Sequence, residues 1–137
     1  MLRAVILVLF LLFGHSSADE WKPSKSISMK KDAIETILVK SGSLQRLFDF
    51  RWTLYKNGSI VILRSYDGFV AQNILSSKRK NRSFRVELLP RGLDYRAVPY
   101  LVVTFKEFDF KKNEALFDIY LSDDDEKILL QYLRGNE

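Results

Sequence analysis

Residues 48–54 constrain this chain more than any other stretch. Phe48, Phe50, Trp52 and Leu54 alternate with Asp49, Arg51 and Thr53. A two-residue period suits a strand with one buried and one solvated face, and it does not suit a helix. Asn57-Gly58 follows, a dipeptide that accepts positive φ at both central positions of a tight hairpin turn. The β-rich run 60–66 completes the hairpin. A two-residue turn sets Trp52 against Leu63, Leu54 against Val61 and Arg51 against Arg64, the last a like-charge pair that needs Asp49 nearby. A three-residue turn with a bulge sets Leu54 against Ile60 instead, and the sequence leaves both registers open. Asp67-Gly68 marks a second tight turn into Phe69–Leu75, so the three strands form a meander.

Downstream, Phe84, Val86 and Leu88 alternate as a strand stopped by Pro90, and 91–98 reads as an irregular loop. Residues 100–110 read as a long strand whose phase slips between Phe105 and Phe108, the mark of a β-bulge. Ala115, Phe117, Ile119 and Leu121 alternate as a further strand. Ser122-Asp123-Asp124-Asp125 resembles a capping box, and Leu129, Leu130 and Leu133 fit one helical face ended by Gly135. These signals predict a C-terminal helix. Upstream, 32–40 fits a helix or a strand equally, and 19–31 reads as an extended, loosely attached arm.

The expected fold class is therefore α+β, mainly antiparallel β. It is a curved sheet of six to seven strands or a small barrel, with a C-terminal helix over it. The expected organisation is a signal peptide over 1–18, an arm and ambiguous first element over 19–43, and the β domain with its helix over 44–137.

The signal peptide rests on Met1-Leu2-Arg3, the unbroken apolar run Ala4–Phe13, and small residues ending Ser16-Ser17-Ala18. Ten apolar residues are too few for a membrane span, so no transmembrane segment beyond the leader is expected. Cleavage after Ala18 leaves 119 of the 137 residues and removes Arg3 and His15. The remaining 21 basic and 17 acidic residues give +4, with no histidine and no cysteine. Disulfides, cysteine nucleophiles, Cys/His zinc sites and any histidine general base are thereby excluded. No cofactor and no metal are expected. An exported chain without disulfides suits a bacterial periplasm or secretion from such a cell.

Charge is distributed unevenly. Seven basic residues (Lys78, Arg79, Lys80, Arg82, Arg85, Arg91 and Arg96) and two acids, Glu87 and Asp94, lie between 76 and 96, a window of +5. Between Glu107 and Glu126, eight acids against Lys111 and Lys112 give −6. Those seven cations form the candidate anion-binding set, and the competing interpretation is a solvated loop that keeps a hairpin soluble. The expected partner is an anionic envelope component or an envelope protein. Nucleic acid is not expected, since no nucleic-acid-binding motif is present and export removes the chain from it.

Other constellations carry less. Phe48, Phe50, Trp52, Tyr66, Phe105 and Phe117 suit a plain core better than a ligand cavity. Ser28-Met29-Lys30-Lys31 and Ser77-Lys78-Arg79-Lys80 match S-x-x-K only trivially. The run Asp123–Glu126 lacks the glycine and terminal glutamate of a calcium loop. The functional expectation is a non-enzymatic binding or scaffolding domain of the bacterial cell envelope. One alternative is a carrier of a small apolar or lipid-like ligand in a curved sheet. The other is a hydrolase using carboxylates drawn from Glu87, Glu107 and Glu114.

Overall fold

The computed structural model describes residues 20–90, 98–125 and 127–133, with Glu20 and Trp21 by backbone only. The leader 1–18 and most of the loop 91–98 lie outside the described residues. Among the described residues ten strands appear: β1 (Glu20–Trp21), β2 (Ser24–Lys30), β3 (Glu35–Ser41), β4 (Leu44–Lys56), β5 (Ser59–Tyr66), β6 (Phe69–Ser76), β7 (Ser83–Glu87), β8 (Tyr100–Asp109), β9 (Glu114–Ser122) and β10 (Leu129–Leu133). They build a larger sheet in the order β1-β10-β3-β4-β5-β6 and a smaller one in the order β2-β9-β8-β7. Every pairing is antiparallel.

The two sheets close on each other through their alternate residues. Ile37, Phe48, Phe50, Ile60 and Ile62 of the larger sheet are fully or almost fully buried, as are Leu101, Val103, Phe105, Phe117 and Ile119 of the smaller. Phe50 meets Phe117 edge to face at 5.5 Å across the interface. The result is a sandwich with a single core, and the barrel alternative is not realised, because among the described residues each sheet keeps two unpaired edges.

The central hairpin uses the two-residue turn. Asn57 (φ 54°) and Gly58 (φ 82°) both take the left-handed conformation, and Lys56, Tyr55 and Leu54 face Ser59, Ile60 and Val61. A bulge between Trp52 and Leu54 then shifts the ladder, so that Trp52 faces Ile62, Arg51 faces Leu63 and Phe50 faces Arg64. The expected Arg51–Arg64 pair therefore does not form. Leu54 turns to solvent at 51 % exposure and Tyr55 packs inward beside Phe105 and Phe108. A second register shift lies between Phe105 and Glu107, where the sequence phase slips.

Two expectations are corrected. No helix occurs among the described residues, and 129–133 forms β10 against β3. Asp123 does not cap a helix. Its Oδ2 accepts the Ile128 amide at 2.6 Å and closes the turn into β10. A helix from the Ser122 cap to Gly135 is only about twelve residues long, marginal in isolation, whereas the β3 ladder pairs all five residues of β10 and buries Leu130 and Tyr132. The expected arm is integral instead: β2 pairs along its whole length with β9, and β1 with β10. The stretch 32–40, which the sequence leaves open between helix and strand, contributes β3, between β10 and β4.

Candidate anion-binding surface

The basic segment 77–82 carries the chain from β6 in the larger sheet to β7 in the smaller, and backbone hydrogen bonds hold it to both. Ser76 N–H donates to the Asn81 carbonyl at 2.9 Å, and Asn81 Nδ2 donates to the Ile74 carbonyl at 3.2 Å. On the other side Phe105 N–H donates to the Arg82 carbonyl at 2.8 Å. The loop lies on the Asn57-Gly58 turn: Ser77 N–H points at the Gly58 carbonyl, and the Lys78 stem passes 3.7 Å from where a Gly58 Cβ would stand. A short path between two sheets, tied at both ends, forces its side chains outward.

Lys78, Arg79, Lys80 and Arg82 are accordingly exposed, and none makes an ion pair among the described residues. Four uncompensated cations on a fixed backbone attract anions over about one Debye length, roughly 10 Å at 0.1 M salt. Arg85 follows on the outer face of β7, its guanidinium carbon 3.5 Å from the Tyr100 ring centroid. That cation–π contact fixes the head group and leaves its charge available. Arg91 and Arg96 lie outside the described residues. The structure thus groups four of the seven candidates on one loop and places a fifth on the adjoining strand.

The acidic stretch is used differently. Asp118 accepts the Ser26 hydroxyl and pairs with Lys106 at 3.3 Å, while Glu114 accepts the Ser28 hydroxyl at 2.6 Å. Asp109 accepts the amides of Lys111 and Lys112 in the β8–β9 turn. These carboxylates stabilise strand pairing and turns. Of the glutamates considered for hydrolysis, Glu87 faces Tyr100, and Glu107 lies seven residues further along β8, roughly 20 Å away. Among the described residues no three acidic, histidine or cysteine side chains converge as a metal site would need.

The aromatic side chains weighed as cavity walls pack on one another. Phe48 and Phe50 stack at 5.7 Å, both meet Phe84 at 6.3 Å, and Phe105 meets Phe117 at 5.7 Å. Trp52 meets Phe108 edge to face at 5.6 Å, and Tyr66 donates its hydroxyl to the Leu88 carbonyl at 2.6 Å. The marked depressions are open ones. One of about 400 Å³ lies beside Pro23, Leu121 and Ile128, and one of about 560 Å³ lies over Leu38, Leu47 and Asp49.

Two polar clusters escaped the sequence analysis. Arg64 turns inward, donates from Nε to Asn73 Oδ1 at 2.7 Å and covers the Phe84 ring at 4.9 Å, and burial lowers its pKa. At the other side, Lys25 Nζ lies 5.3 Å from the Tyr132 ring. Burial raises the Glu35 carboxyl above its ordinary value, with Lys25 opposing, and burial holds the Tyr132 phenol neutral, reinforced by Glu35. The bulge in β4 and the β10–β3 pairing create these clusters, and no local sequence signal marks either event. Comparison with family profiles, curated proteins and solved structures finds no match to this chain.

Proposed function

We propose that the protein is an exported, non-enzymatic binding domain of the bacterial cell envelope that docks an anionic partner through its basic loop. The observation that carries this reading is the set of four exposed cations, Lys78, Arg79, Lys80 and Arg82, with no ion-pair partner among the described residues. They stand on a backbone that hydrogen bonds tie to both sheets. Asp109, Glu114, Asp118 and Asp123, by contrast, are spent on local contacts, which leaves the loop cations as the uncompensated charge of the two stretches. The interdigitated aromatic core supports a binding surface over an internal ligand site.

Co-sedimentation with vesicles tests the proposal. Anionic vesicles recover the protein at low salt and neutral ones do not, and binding weakens steeply above about 0.1 M salt as screening shortens. Reversing Lys78, Arg79, Lys80 and Arg82 to Glu abolishes recovery while leaving the melting temperature in place, because none of the four is part of the core. Equal recovery of wild type and the reversed variant, from vesicles and from envelope extract alike, refutes the role of the loop.

A further inference from the structure

The larger sheet ends on β6, and among the described residues no strand pairs with the outer edge of β6. Pairing with β5 closes at Tyr66 and Phe69 across Asp67-Gly68. Antiparallel alternation then turns the backbone groups of Phe69, Ala71, Asn73 and Leu75 toward β5, and those of Val70, Gln72, Ile74 and Ser76 away from it. Asn81 takes the last of these by accepting from Ser76 N–H and donating to the Ile74 carbonyl. At Val70 and Gln72 no described residue takes the outward groups.

Edges of this kind are ordinarily guarded by charge. The smaller sheet follows that rule, with Lys25 and Lys30 in β2 and Arg85 and Glu87 in β7. The β6 edge does not, because no charge occurs from Phe69 through Ser77. It is also apolar and open to solvent: Phe69 is 83 % exposed and Val70 74 %.

We infer that β6 pairs antiparallel with β6 of a second copy of this chain, about a two-fold axis at Ala71, joining the two larger sheets edge to edge. Asn81 sets the register, because it covers the Ile74–Ser76 end and leaves Phe69–Asn73, whose midpoint is Ala71, free to pair. This stretch is self-complementary: Val70 faces Gln72 of the second copy, Phe69 faces Asn73, and no charge opposes a charge. Each Val70–Gln72 pair exchanges two backbone hydrogen bonds, about four in all. The interface uses one patch twice, as closed two-fold symmetry requires. This inference stands independently of the anion-docking proposal.

Sedimentation velocity on the purified protein, from about 1 to about 300 µM, tests it through a concentration-dependent monomer–dimer equilibrium. Val70→Lys places like charges across the axis and raises the dimer dissociation constant at least about tenfold. Gln72→Pro removes an outward N–H that β5 does not use, and abolishes the dimer. Circular dichroism of both variants verifies that the fold survives. The chain has no cysteine, so Ala71→Cys supplies one thiol. At a non-hydrogen-bonded pair, about 4.5 Å between Cα atoms, it forms an intermolecular disulfide on mild oxidation. A monomer throughout the concentration range overturns the inference. So does a dimer indifferent to Val70→Lys and Gln72→Pro, or one that Ala71→Cys fails to cross-link. A monomer that binds an extended peptide along β6 overturns self-pairing as well.

Discussion

Trp52→Ala tests whether the side chain at the start of the β4 bulge holds the two sheets together. Trp52 is 2 % exposed, donates from Nε1 to the Met29 carbonyl of β2 at 2.8 Å, and meets Phe108 of β8 edge to face. Its own carbonyl accepts Asp32 N–H at 2.9 Å, where the chain crosses from the smaller sheet to the larger. Truncation removes roughly 150–200 Å² of buried apolar surface, about 4–5 kcal/mol at ~25 cal/mol per Å². Loss of the hydrogen bond strands a buried carbonyl and adds on the order of 1 kcal/mol. A domain of this size has ~5–15 kcal/mol in all, so the variant is marginal or unfolded at 25 °C. Urea unfolding followed by far-UV circular dichroism measures the loss, and Trp52→Phe keeps the scale readable by restoring most of the area without the donor. Trp52→Phe should cost roughly 1–3 kcal/mol. A loss under ~2 kcal/mol for Trp52→Ala would show that this indole does not bridge the sheets.

Two further expectations concern a turn and a titration. Gly58 sits at φ 82° with its nearest side-chain neighbour in ordinary contact range, so Gly58→Ala costs about 1–2 kcal/mol through backbone strain alone, and an unchanged urea midpoint would contradict this. Burial raises the Glu35 pKa in the folded state, which therefore holds more protons than the unfolded chain above pH ~4.5. Stability falls as pH rises from there through the folded pKa and levels off above it. Glu35→Gln removes this part of the pH dependence, and urea midpoints between pH 4 and pH 8 that decline as steeply as in wild type would refute the assignment.

Periodicity and turn chemistry specified the local features of this protein. Alternation marked β4, β8 and β9 as strands, Asn57-Gly58 and Asp67-Gly68 marked the turns where positive φ occurs, and the slip after Phe105 marked the second bulge. The loop cations were legible for the same reason, since Lys78, Arg79, Lys80 and Arg82 are close in sequence and need no distant partner to be grouped. Tertiary structure decided what periodicity leaves free, namely which strands pair and which face each residue finally takes. Leu129–Leu133 suits a helical face read alone, yet pairing with β3 satisfies its backbone and buries Leu130 and Tyr132, which a short helix, marginal in isolation, does not match. The β4 bulge turned Leu54 outward and Tyr55 inward, and the shifted register let Arg64 reach Phe84 in place of Arg51. The Lys25–Tyr132–Glu35 cluster joins β2, β10 and β3, strands from both ends of the chain. Local preference fixes the period of a strand, but its partner is chosen by burial and hydrogen bonding summed over the whole sandwich, and no window of sequence contains that sum.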